Sequence, residues 1–136
     1  MKEGRASKKH TLPQYFYPGE PLDTGDMRVT ILGSGTPFPR HGQASAGILV
    51  EAGRERFVFD VGPGVPDRLA SLQIPMNELD KVFLTHLHMD HIGGLGQLWI
   101  GGWTYGRHQP IKVWGAPGTE QFCRNLATSY TWDVEG

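Results

Sequence analysis

The run Lys81-Val82-Phe83-Leu84-Thr85-His86-Leu87-His88-Met89-Asp90-His91-Ile92-Gly93-Gly94 constrains this chain more than any other stretch. An apolar, β-like segment gives way to four side chains that bind divalent metal, all within six positions, and two glycines follow. Successive side chains of an extended segment alternate faces, so His86 and His88 reach one ion from the same side. Asp90 and His91 lie beyond the bend and turn toward a second ion, while the glycines let the backbone wrap closely around the pair. A lone histidine near a strand end is ordinarily a polar surface or core residue, and a lone aspartate beside a glycine turn is ordinarily a cap. Three histidines and an aspartate at this spacing point instead to a metal centre. Imidazole and carboxylate donors without clustered thiolates suit zinc, with manganese or iron as alternatives on the same ligands.

Around this motif the chain reads as alternating strands and helices. Strands are expected over about residues 27–33, 46–52, 55–60, 81–85 and 111–114, with a Gly53-containing hairpin turn joining the second and third. Helices are expected from about Val65 to Leu72, with Leu69 and Leu72 at helical spacing, and from Thr119 to Ser129, with Gly118 or Thr119 at the cap. Residues 92–100 read as a short helix or turn beneath the site. Residues 1–26 are polar and punctuated by proline, and read as a flexible tail whose Tyr15, Phe16 and Tyr17 pin it to the domain. The ordered domain is expected to occupy residues 27–136, as a mixed α/β half-sandwich.

Three blocks, in order and spacing, give the chain a likeness. His86-x-His88-x-Asp90-His91 resembles the signature of the metallo-β-lactamase-fold hydrolases. Met27-Arg28-Val29-Thr30-Ile31-Leu32-Gly33-Ser34-Gly35-Thr36-Pro37 is similar to the first strand and glycine turn of the branch holding ribonuclease Z and arylsulfatase-like enzymes. Phe57-Val58-Phe59-Asp60-Val61-Gly62-Pro63-Gly64 resembles the strand that ends in the family's structural aspartate. Trp99 to Gly102 and Trp114-Gly115 look closest to hydrolases of guanitoxin biosynthesis. The resemblance covers roughly residues 27–132. It implies an α/β fold, the N-terminal half of an αββα sandwich in which helices flank a mixed β-sheet. It also implies two zinc ions, with His86 and His88 on the first and Asp90 and His91 on the second. Asp60 is then a partner of the ligand loop that orients an imidazole, or alternatively a cap of the Gly62-Pro63-Gly64 turn; the two readings are not exclusive.

The chain departs from the resemblance downstream. Family members add a third metal-binding histidine, a bridging aspartate and a last histidine from the second half of the sandwich. Only His108 follows the motif here, in a polar Gly106-Arg107-His108-Gln109-Pro110 segment that reads as a surface loop. The domain is therefore expected to be incomplete at its C-terminus. Either the sequence is a piece of a longer protein, or another chain, including a second copy in a homo-oligomer, supplies the rest.

Hydrophobic content of 38% and charge of 20% describe a globular protein, with no apolar run long enough for a membrane. A net charge of -1 gives no support to a chain-wide phosphate-binding field. Cys123, the single cysteine, rules out an internal disulfide and reads as a half-buried helix position. Without a visible apolar leader, a cytoplasmic location is expected. Gly33-Ser34-Gly35 lacks the further residues of a nucleotide loop and reads as a loop lining the site. Its continuation through Arg40 and His41 reads as solvated rather than substrate-binding. Trp99, Trp103 and Tyr105 read either as a wall for an apolar substrate or as packing under the absent second sheet.

The expected activity is metal-dependent hydrolysis of a phosphodiester, sulfate ester or lactone, on a small molecule or a phosphodiester substrate. Two ions lower the pKa of a bridging water from near 16 toward about 7, supplying hydroxide at neutral pH. Asp90 is the expected catalytic side chain, taking or passing on a proton while it ligates. A redox flavodiiron protein shares the fold, but resembling sequences carry Glu where this chain has His88. The other alternative is a non-catalytic half-domain that binds metal or a partner. The isolated chain is expected to be inactive.

Overall fold

The computed structural model describes residues 20–135, so the tail reading for residues 1–19 lies outside the described residues. Residues 20–26 lead in through a turn in which the Asp26 amide donates to the Asp23 carbonyl, and the Arg28 guanidinium donates to the Glu20 carbonyl. Five strands form one sheet in sequence order: β1 (Met27–Gly33), β2 (Gly47–Ala52), β3 (Glu55–Phe59), β4 (Lys81–Leu84) and β5 (Lys112–Gly115). The hairpins β1–β2 and β2–β3 are antiparallel, while β3–β4 and β4–β5 are parallel. Parallel neighbours need a crossover. Helix α1 (Val65–Ser71) supplies part of the first, and α2 (Met89–Ile92) and α3 (Leu95–Thr104) supply the second. Helices α4 (Thr119–Ser129) and α5 (Thr131–Glu135) follow β5. The sheet is mixed and carries helices, as the resemblance implies. The segment after the motif is longer than a turn, because α3 runs on to Thr104.

The two faces of the sheet differ. One packs Leu32, Leu49, Val58, Val82 and Leu84 against Val65 and Leu69 of α1 and Leu95 and Leu98 of α3, forming the core. On the other, the register aligns Ile31, Ile48, Phe59, Phe83 and Trp114 in one row across all five strands. Val29, Val50 and Phe57 make a second row. Phe83 stacks on both neighbours, with ring centroids 5.1 Å from Phe59 and 4.8 Å from Trp114. Ile31 stays 72% and Trp114 45% exposed, so this second face is apolar without a covering layer among the described residues. Trp99 packs edge-on against Tyr130 and lines a cavity of about 900 Å³ between α3, β5 and α4, while Trp103 and Tyr105 are exposed. Because α3 sits on the core face, these aromatics do not belong beneath a second sheet, and that reading is corrected.

Glu51 is the one acidic side chain of the strands turned to the core face. Strand alternation sets it beside Leu49, and it lies between Arg28 at 2.7 Å and Arg56 at 3.4 Å. Burial alone raises its carboxyl. The two guanidinium groups outweigh that and hold it below the usual carboxylate range.

Candidate metal centre

Strand β3 ends at Phe59, and Asp60 turns the chain with φ of 60°, a left-handed conformation that aspartate tolerates better than most residues. Its amide still donates to the Phe83 carbonyl at 2.8 Å, prolonging the pairing of β3 with β4. This combination aims the Asp60 carboxylate across the end of β4. Oδ1 accepts the Thr85 amide at 2.8 Å, and Oδ2 accepts the Thr85 hydroxyl at 2.7 Å. Nδ1 of His91 also lies 2.7 Å from Oδ2. Asp60 is only 6% exposed, so three donors offset the cost of burying its charge. Both carboxylate oxygens are thus directed to Thr85 and His91, the partner role expected of Asp60.

The motif turn is held in place by backbone bonds. The Ala46 amide donates to the Asp90 carbonyl at 3.1 Å, the Val61 amide to the His91 carbonyl at 2.7 Å, and the Gly94 amide to the Val61 carbonyl at 2.8 Å. These layers lie so close that a Cβ on Gly62 would sit 2.1 Å from the Asp90 carbonyl oxygen. A Cβ on Gly33 would likewise meet the Ser45 carbonyl oxygen at 1.9 Å. Gly33 and Gly62 are therefore glycines of close approach. For Gly33-Ser34-Gly35 this is a structural reason that needs no phosphate.

Within this frame the four expected ligand residues are neighbours in pairs rather than one cluster. The His86 ring centroid lies 3.9 Å from that of His91 and 4.8 Å from that of His88. Asp90 is buried in the first turn of α2, with Oδ2 3.5 Å from His91 Nε2. His88 is exposed, as is His108 on its loop. Among the described residues, however, no three His, Cys, Asp or Glu side chains converge as a ready metal cage. The donor chemistry nevertheless suits a cation. Asp60 engages Nδ1 of His91 and leaves its Nε2 facing a carboxylate oxygen of Asp90, the usual carboxylate–histidine arrangement at a metal. Sequence reading passed over Thr85, although its hydroxyl sits within 3.1 Å of His86 Nδ1 and 3.4 Å of His91 Nδ1. Its place directly before the first histidine was the available signal.

A mixed sheet whose adjacent strand ends carry this aspartate and this His-Asp cluster defines a metallo-β-lactamase-fold protein. The solved structures agree. The metallo-β-lactamase fold protein YhfI from Bacillus subtilis is similar over 72% of this chain and 42% of its own, with a TM-score of 0.64 and 31% identity. Human tRNase Z, short form, is similar over 75% of this chain and 39% of its own, with a TM-score of 0.65 and 31% identity. The ribonuclease Z of Mycolicibacterium gilvum (strain PYR-GCK) is 35% identical over 111 residues, which is 79% of this chain and 39% of that protein. Residues 27–120 match the family described as Anti-Pycsar protein Apyc1, and the chain belongs to that family. It spans about two fifths of the length of the curated relatives it matches.

Proposed function

We propose that this chain is part of a metal-dependent phosphodiester hydrolase, with His86, His88, Asp90 and His91 as ligands of two divalent ions, zinc first. The observation that carries the reading is the Asp60 hold on His91, which leaves Nε2 3.5 Å from the buried carboxylate of Asp90. The likeness to proteins named ribonuclease Z and tRNase Z favours a phosphodiester over the sulfate ester or lactone. When bound, such ions supply Lewis acidity and lower the pKa of water to near neutrality. The chain's own residues do the rest. Asp60 fixes the ligand turn, His86 and His91 present ring nitrogens, and Asp90 Oδ2 takes a proton from the water that attacks phosphorus and passes it to the ester oxygen as its bond to phosphorus breaks. We assign the remaining ligands to polypeptide beyond this stretch or to a partner chain, because the described residues offer no cage of three.

The test is an assay, with zinc and with the polypeptide that completes the ligand set present, against a simple aryl phosphodiester, an aryl sulfate and a lactone, before and after chelation. Phosphodiester turnover that chelator abolishes and zinc restores is the expected result. Turnover of the sulfate or lactone alone, or activity indifferent to chelation, overturns the proposal.

A further inference from the structure

We infer that Thr85 is a positioning residue through which the single carboxylate of Asp60 fixes the tautomers of both His86 and His91. A threonine hydroxyl has one proton to donate and two lone pairs to offer. Asp60 Oδ2, an acceptor when ionised, lies 2.7 Å from Thr85 Oγ1 and takes that proton. The hydroxyl therefore presents only lone pairs to His86 Nδ1 at 3.1 Å. An unprotonated nitrogen would set lone pair against lone pair there, so His86 carries its proton on Nδ1 and donates it. His91 Nδ1, 2.7 Å from the same Oδ2, is protonated for the same reason. His86 then keeps an unprotonated Nε2 with its lone pair free for a cation, while Nε2 of His91 faces Asp90 Oδ2 at 3.5 Å. One imidazole is held directly and the other through one hydroxyl, and the family resemblance implies that the two serve different ions. This links the two halves of the proposed centre through a group that touches no metal. The consequence for metal rests on that proposal, whereas the tautomers do not.

Thr85 is anchored by its own amide to Asp60 Oδ1 at 2.8 Å, a bond that side-chain variants keep. Thr85→Val, nearly equal in shape, removes only the hydroxyl, and Thr85→Ser restores it. The test is long-range proton–nitrogen imidazole spectroscopy of the metal-free, 15N-labelled protein, which reads directly which ring nitrogen carries the proton. His86 and His91 are expected to be protonated on Nδ1 in the wild type and in Thr85→Ser. In Thr85→Val, and equally in Thr85→Ala should the valine variant fail to fold, His86 is expected to move to the Nε2 proton while His91 does not. Zinc titration should then show affinity weakened about 10-fold in the variants that lack the hydroxyl and restored in Thr85→Ser. A wild-type His86 protonated on Nε2, or a His86 tautomer indifferent to loss of the hydroxyl, overturns the inference. If the tautomers behave as stated but the wild type binds no zinc, Thr85 keeps its role and the hydrolase proposal falls.

Discussion

At the scale of single residues, Asp60 does two separable things: its backbone makes the left-handed turn, and its carboxylate holds Thr85 and His91. Asparagine tolerates the same φ, so Asp60→Asn isolates the charge from the turn. That variant is expected to weaken zinc binding by about 10- to 100-fold while leaving the fold intact, as zinc titration and circular dichroism would show. Unchanged affinity would reduce Asp60 to a structural corner. The four proposed ligands make a sharper expectation. His86→Ala or His91→Ala removes a ring rather than core volume, and each should abolish hydrolysis in the active protein; activity kept within about tenfold would sink the ligand assignment.

At the scale of elements, the motif turn is as good as its clamp. Gly62→Ala drives a methyl into the Asp90 carbonyl oxygen and Ser45, both backed by bonded segments that cannot recede. A loss of about 2–3 kcal/mol in denaturant unfolding is expected, with zinc affinity falling as the turn opens. The sheet's far end gives a pH-dependent counterpart. Glu51 is held below its ordinary range by Arg28 and Arg56, so the folded state binds a proton there less readily than the unfolded chain. Its contribution is present above the usual glutamate range and is lost as pH falls through the lower folded value. Glu51→Gln should therefore reduce stability at neutral pH and flatten the acid limb of a stability-against-pH curve; parallel curves would exclude Glu51 as a source of that limb.

At the scale of the whole molecule, the governing fact is a five-strand sheet whose second face carries no covering layer among the described residues. The row Ile31, Ile48, Phe59, Phe83, Trp114 is apolar across its full width, and water contact with such a surface is unfavourable. The 136-residue chain by itself is expected to self-associate in light scattering, and Ile31→Lys with Trp114→Lys should return it toward monomer. A monomer without those changes would show that the face is tolerated as it stands. The same chain should bind zinc weakly, because stable zinc sites use three or four ligands and the described residues bring no three together.

The sequence by itself determined the strands and the helix over Thr119–Ser129, and it marked residues 86–91 as the proposed ligands, since period-two and helical patterns and residue spacing are local properties. The hairpin at Gly53 was equally legible, as its φ of 58° needs what glycine supplies. Tertiary structure decided what depends on separations of many residues. Asp60 meets His91 from 31 positions away, and sequence alone allowed it to be a turn cap, a partner of an imidazole or both; the parallel pairing of β3 with β4 aligned their ends and set its carboxylate on His91. Glu51 reads as one more charge in a polar hairpin, and only its strand face and two distant arginines show it buried and paired. Thr85 stood inside the motif without a role, because a hydroxyl's partners are fixed by geometry across strands. The aromatic row is a matter of register, which pairing sets and composition does not record.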